Sequence, residues 1–467
     1  MKSKILIVLM MLYASMGYSQ NEFVYGQCLK EVHFGGTQNT NYIPITKDDS
    51  SGEYMAPQFV KDNGGNCSTQ SNGTVTKSDP VAYVSGTKAR VKAIFETNCS
   101  TPQYIRGLGP YISVNQTSVR IEFPKQLATP SGGEIVYDWK DANRIFVNNE
   151  VKYFEKFKIK WQISKDGNSE WIDIDESENT LYVTHDVPLL TTANGHLEPT
   201  VAFHTLLHIA SSNADGENIE NDIVEKIYFE FNDQVVNRVD GIGPIQYWGP
   251  NISTPGCWQT SQMLINLNGT CGGWAAFFED VIRLQGISSS ELSTVTYNDY
   301  VLSSSDVQKL NIDAQDFLGL DISNLQALPH DNIPNTIRSD FFVKNWNLAS
   351  SGIFVMNDYF NNVSGITPVP IQLANGNIIS IEEQIGVTGQ GNNDPRSEFE
   401  NHAIVKYGSK YFDPSYGSPI QPSANSWETP SLDGFGSVMV YNHNNQFYYV
   451  NWIGHLNDST LQSNVSP

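Results

Sequence analysis

Residues 268–287 read NGTCGGWAAFFEDVIRLQGI. From Trp274 onward the apolar residues Trp274, Phe278, Val281 and Ile282 recur at helical spacing. Glu279, Asp280 and Arg283 fall on the other face, and Gly286 stands where a helix stop is expected. The stretch predicts an amphipathic helix that opens at Cys271. A cysteine in the first turn of a helix meets unpaired backbone N–H groups and the positive end of the helix dipole, and both favour thiolate over thiol. That is the setting of a nucleophile. It is also a place where a buried structural cysteine can sit, so the rest of the chain has to decide.

The chain has 467 residues, 39% of them hydrophobic, enough for two or three domains with cores of their own. Its formal net charge is −22 and no basic stretch stands out, which argues against nucleic acid and anionic membrane surfaces as partners. The acidity is scattered and reads as solubility. Residues 1–19 carry Lys2 and Lys4, an apolar core from Ile5 to Tyr13, and small residues Gly17 and Ser19 before a cleavage point. The core is too short to span a bilayer, so the segment reads as a cleaved signal peptide. No later segment approaches a transmembrane run. A secreted or periplasmic protein is expected.

In that compartment thiols pair, and the five cysteines leave one over. If Cys271 is the free one, then Cys28, Cys67, Cys99 and Cys257 can form two disulfides in any of three ways. The repeated NCST at 66–69 and 98–101 hints at related positions for Cys67 and Cys99. Asn268-Gly-Thr270 is a glycosylation sequon directly before Cys271. A glycan there would cover a nucleophile, so a catalytic Cys271 implies a chain made without such glycosylation, as in most bacteria.

Residues 20–80, rich in Gly, Asn, Ser and Thr, are expected to be irregular with short strands. From 81 to 195, runs such as AYVSGTKARVKAIFE, SVRIEFP, KFKIKWQIS and TLYVTHDV alternate and are divided by turn-formers, the pattern of an antiparallel β-sandwich of immunoglobulin-like type. After Pro199 the texture changes. TVAFHTLLHIASS and NIENDIVEKIYFEF predict two amphipathic helices, Cys271 opens a third, and strands return from 398 to 455. Residues 196–467 therefore read as an α+β domain, preceded by an all-β sandwich domain.

A nucleophilic cysteine needs an imidazole to take its proton and a third group to orient that imidazole. Of nine histidines, His402 is distinctive, because NHAIVKY-GS-KYFDP has the form of a hairpin turning at Gly408-Ser409. If Tyr407 pairs with Lys410, Ile404 lies opposite Asp413 and His402 opposite Ser415. Alternation then puts His402 and Asp413 on one face as diagonal neighbours, about 7–8 Å apart at the backbone. A slip of one residue would separate them. His204 and His208 in HTLLH have a metal-ligand spacing, but the glutamate that a zinc protease places beside the first histidine is missing, so no metal site is assigned. No phosphate-binding loop or dinucleotide fingerprint is present, and no cofactor is expected.

NGTCGGWAAFFEDVIRLQGI resembles the nucleophile helix of the transglutaminase-like superfamily, and HAIVKYGSKYFDPSYG resembles its His strand and Asp-Pro-Ser/Thr strand. The two blocks appear in the right order. The resemblance implies a papain-like core of helix and antiparallel sheet, with Cys271 as nucleophile, His402 as base and acid, and Asp413 as orienting group. It also implies an oxyanion donor upstream of the nucleophile, often Trp or Gln. Trp248 is the first choice because its indole N–H can only donate, with Trp258, Gln259 and Gln262 as further candidates. The long gap between Cys271 and His402 departs from the family pattern and points to an insertion at about 290–395. Residues 20–195 have no counterpart in the family.

The expected chemistry is acyl transfer through a thioester on a protein or peptide amide. Release by water makes a peptidase or amidase, and release by an amine makes a cross-linking transglutaminase. A secreted binding or scaffold protein on the same fold is the reading from a different class. Oligomeric state is not legible.

Overall fold

The computed structural model describes residues 27–36, 42–64, 67, 73–114, 116–168, 170–191, 199–249, 258–287, 388–393, 395, 402–423 and 426–427. It also describes strand segments at 292–297, 325–327, 339–343, 371–372, 378–379, 398–399, 432–443, 446–455 and 465–466. Segment 1–19, Cys257 and most of the expected insertion lie outside the described residues. Sheets dominate and helices are few, an α+β chain. It divides into two compact units. One holds residues up to Thr191 with Thr200–Ile227 and Val281–Ile287. The other holds Thr192–Pro199, Tyr228–Asp280 and Ser288–Pro467.

The first unit is built on two five-stranded sheets. Its strands are β1 (Gln27–Phe34), β2 (Phe59–Asp62), β3 (Thr74–Ser78), β4 (Val81–Val84), β5 (Arg90–Thr97), β6 (Gln103–Val114), β7 (Thr117–Ala128), β8 (Glu134–Asp141), β9 (Lys152–Ser164) and β10 (Ile172–Thr184). They run in the orders β3-β2-β1-β5-β8 and β4-β10-β9-β6-β7, all antiparallel except the β4–β10 pair. In β5, RVKAIFET, buried and half-buried residues alternate at period two, as a strand with one covered face requires. The inward residues of both sheets form one core, in which Trp161 meets Phe95 and Tyr137 edge-on at 5.5 and 5.4 Å.

Residues 20–80 are not a separate irregular segment: β1 lies at the centre of a sandwich sheet, pairing with β5 from Gln27↔Thr97 to Phe34↔Val91. Its alternation is broken by a register shift between Leu29 and Glu31, which hides the strand from a reading by period. The domain boundary near 195 is also not where the compact units divide. Helices α1 (His204–Ser212) and most of α2 (Glu220–Tyr228) fall with the sandwich, and α1 packs on β9 and β10.

Cys28 is joined to Cys67, with Cα atoms 5.6 Å apart, and Cys99 carries a free thiol. Cys67 therefore does not pair with Cys99 despite the shared NCST. The strand β1 brings Cys28 to it instead.

The second unit contains β11 (Gln246–Tyr247), α3 (Thr260–Asn266), β12 (Asn268–Gly269), the first ten residues of α4 (Cys271–Leu284) and β13 (Leu292–Tyr297). Strand Ala403–Tyr407 pairs antiparallel with β13 on one side and with strand Lys410–Phe412 on the other. The start of the expected insertion is thus a strand of the same sheet as the His402 hairpin. A longer hairpin joins Leu432–His443 to Gln446–His455. The predicted helix at Cys271 is present, but its polar face is not solvated. Glu279, Asp280 and Arg283 are all buried. Thr260 Oγ1 donates to Asp280 at 2.6 Å, while Arg283 donates to Thr200 Oγ1 at 2.8 Å and to the carbonyls of Leu189 and Thr191. Buried charges are tolerated when such partners satisfy them.

Candidate active site

Thr270 caps α4. Its Oγ1 accepts the Gly273 N–H at 3.3 Å and its carbonyl accepts the Trp274 N–H at 2.9 Å. The start is fixed from behind by Tyr247 pairing with Gly269 in parallel β11 and β12. Cys271 thereby stands at the first helical position with its thiol buried.

The hairpin carrying His402 has the predicted register: Tyr407↔Lys410, Lys406↔Tyr411 and Val405↔Phe412. Gly408 takes φ +57°, which suits the first position of a tight hairpin turn. The ladder stops at Phe412. His402 lies one residue before its strand and Asp413 one residue after its own, and there the two side chains meet. His402 Nε2 is 3.0 Å from Asp413 Oδ2, and both residues are almost fully buried. The other carboxylate oxygen accepts the Ser415 N–H at 3.2 Å, an Asx turn within Asp413-Pro-Ser415.

The His402 side chain and the backbone N–H groups of Ala403 and Gly272 lie near enough to the Cys271 thiol to stabilise its charged form. With Nε2 on Asp413, Nδ1 is the ring nitrogen left to face a proton donor or acceptor other than the carboxylate. Burial is the largest influence on Cys271 and pushes the thiol up. The hydrogen bond and charge of His402, with the two N–H groups, outweigh it and leave the thiol below its ordinary value. For His402, burial works against the charged ring, but the Asp413 charge and hydrogen bond, joined by Cys271, lift it to about 10. Each group thus favours the charged form of the other.

Aromatic rings enclose the imidazole. Trp427 stacks on it with ring centres 5.8 Å apart and planes 12° from parallel, and Tyr416 packs at 5.7 Å. Tyr247 meets Tyr416 edge-on at 5.0 Å, and Cys271 and Asp413 both act electrostatically on its buried hydroxyl. None of these three rings is singled out by the sequence. They are aromatic residues among many, and only the fold selects them. Ser415 did leave a signal, since Asp-Pro-Ser is turn chemistry.

Trp248 comes to the start of α4, its backbone following β11 alongside β12. Its N–H donates to Gly269 O at 3.0 Å and its carbonyl accepts from Asn392 at 3.1 Å. These bonds hold it at φ +47°, a left-handed conformation that a tryptophan rarely adopts. Gln259 opens α3, its carbonyl accepting the Met263 N–H at 2.9 Å, and among the described residues it has no hydrogen bond to Cys271, His402 or Asp413. His204 and His208 converge on the Tyr182 hydroxyl at 3.1 and 3.2 Å within the first unit, a satisfied hydrogen-bond network.

Among the described residues no helix is long and apolar enough to cross a membrane. No protein-family model matches the chain, and no curated protein matches its sequence.

Proposed function

We propose that the chain is a secreted cysteine-dependent acyl-transfer enzyme acting on amide bonds, a peptidase or amidase with a transglutaminase-like catalytic domain. The observation that carries this reading is the contiguous buried chain Cys271–His402–Asp413 at a capped helix start, with the thiol below and the imidazole above its ordinary value. The Cys28–Cys67 disulfide supports an oxidising compartment.

In this mechanism the Cys271 thiolate attacks the amide carbonyl. The carbonyl oxygen gains charge at the N-terminus of α4, where the helix-start N–H groups and, as second donor, the Trp248 indole would hold it. His402 gives its proton to the leaving amine as the thioester forms. It then takes a proton from the water that attacks the thioester, and the acid and the free thiolate are released. Asp413 keeps the ring oriented and its positive charge compensated.

The test is incubation of the mature protein with an amide-reporter library, with and without a primary amine, followed by mass spectrometry. Hydrolysed products that vanish in Cys271→Ala support the reading. Amine adducts in place of acids would make the enzyme a cross-linker. Failure to turn over any amide, with Cys271→Ala retaining full binding to a ligand, would favour a scaffold protein.

A further inference from the structure

We propose that Tyr228 is a positioning residue for the Asp413 carboxylate, acting through its hydroxyl on the Asp413 main chain. The inference rests on the reading of Cys271, His402 and Asp413 as one catalytic unit.

The end of α2 places Tyr228 beneath the hairpin. Its hydroxyl lies 2.9 Å from the Asp413 carbonyl oxygen and 2.6 Å from that of Ser418, and shares its proton between them. It also accepts the Asp413 N–H at 3.2 Å. One phenol thus holds both main-chain polar groups of Asp413, at the point where the sheet ladder has ended and no strand partner is present to hold them. The ring is fixed as firmly as the hydroxyl. Phe231 stacks on it at 5.9 Å, and Phe412 and Phe278 meet it edge-on at 5.1 and 5.4 Å. Tyr228 is fully buried, and burial together with the Asp413 charge keeps its phenol protonated.

The consequence follows from the shortness of an aspartate side chain. With two side-chain torsions, the place of the Asp413 oxygens is set by the backbone that carries them. Orientation of His402 therefore depends on where the loop Asp413–Ser418 is held. Catalytic constellations tolerate displacements of only about 0.5 Å from their productive geometry. Gly417 N–H also closes on the Asp413 carbonyl at 2.9 Å, and Gln234 and Gln390 donate to the carbonyls of Tyr416 and Ser415 at 2.8 and 3.0 Å. Among the described residues, however, it is Tyr228 that reaches the Asp413 main chain itself from another element.

The experiment is the pH dependence of Cys271 alkylation by iodoacetamide in the full mature chain, read by peptide mapping, which needs no substrate. Tyr228→Phe should remain folded and move the acid limb of the profile up by about one pH unit, a tenfold loss of rate on that limb. The difference should vanish where any thiol is ionised. Phe278→Leu, which loosens the same ring without touching the hydroxyl, should lower the melting temperature and leave the limb in place. Installing 4-aminophenylalanine at position 228 restores a donor and should bring the limb back towards wild type. If the Phe variant does not fold, this protein decides alone: a folded chain with its limb where Asp413→Asn has it overturns the inference. A folded Tyr228→Phe with an unmoved limb overturns it also, as does an equal shift in Phe278→Leu. A wild-type limb at the position of an ordinary thiol overturns the catalytic reading and this inference together.

Discussion

His402 Nε2 and Asp413 Oδ2 lie 3.0 Å apart just beyond the end of the ladder that positions them. Because the carboxylate is the chief group that keeps the buried imidazole charged, its removal should leave burial opposed by Cys271 alone. Asp413→Asn should drop the His402 pKa well below about 10, read by NMR of the ring protons. The rate should fall by orders of magnitude, as loss of an orienting carboxylate does elsewhere, while the Cys271 thiol survives for slow labelling.

His402→Ala tests the partner. The largest influence on Cys271 is burial, which raises it, and His402 is the chief group holding it down. Without the imidazole the thiol should rise above its ordinary value, not merely return to it. Iodoacetamide labelling of Cys271 should then require more alkaline pH than a free cysteine does. Labelling of the variant with an ordinary thiol profile would show that the cysteine is less enclosed than described here.

The same pair gives a stability signature. A group whose folded pKa lies above its unfolded value stabilises the fold fully below the unfolded value, and loses that contribution as pH rises through the folded one. For His402 the window runs from about 6.5 for free imidazole to about 10. Cys271 has the opposite sign, so the clean background is Cys271→Ala. With the thiol's share of the lift gone, its melting temperature should fall from about pH 6.5 upward and level off below pH 10, as Asp413 loses its charged partner. The double variant Cys271→Ala/Asp413→Asn should show no such fall.

Among the described residues, cysteine labelling separates two free thiols from the disulfide. Cys99 is more exposed than Cys271, and its thiol also sits below its ordinary value. Burial raises it, and hydrogen bonds from Thr101 and Gln103 with the nearby Lys165 charge outweigh that. Native alkylation below the pH that an ordinary thiol requires should mark both Cys99 and Cys271, with Cys28 and Cys67 marked only after reduction. The sequence alone favours Cys271 as the single thiol left over. An odd count cannot show how many pairs form, and sequence spacing cannot show that β1 delivers Cys28 to Cys67.

What the sequence made legible is local. Helical periodicity located α4, and one two-residue turn fixed a register that carries His402 and Asp413 to the same end of the hairpin. What it hid is long-range. Tyr228 is 185 residues from Asp413 and looks like any apolar-face residue of an amphipathic helix. Glu279, Asp280 and Arg283 read as a wet face and are buried, and the partners of Asp280 and Arg283, namely Thr260, Thr200 and the carbonyls after β10, come from distant segments. The break in β1 made a central strand read as loop. Each miss is a tertiary contact overriding a pattern that local spacing alone can express.

Gly417 offers a test of how closely the Asp413 loop must pass over the rest of its unit. It takes φ +59°, and a Cβ there would run into the backbone carbonyl oxygen of Phe231, which cannot swing aside as a flexible side chain would. Gly408 has nearly the same backbone, φ +57°, but open space around the missing Cβ. The two glycines therefore separate conformational strain from collision. Gly408→Ala should cost only the left-handed penalty, about 1–2 kcal/mol, and leave the pH profile of Cys271 labelling unchanged. Gly417→Ala should cost more, about 3 kcal/mol or above as backbone strain and clash combine. It should also displace the Asp413–Ser418 loop, so the acid limb of Cys271 labelling should move in the same direction as in Asp413→Asn. Chemical denaturation gives the first quantity and alkylation the second. Equal stability losses in the two variants would mean that the loop lies further from Phe231 than described, and that the close approach holding Asp413 beneath His402 is absent in solution.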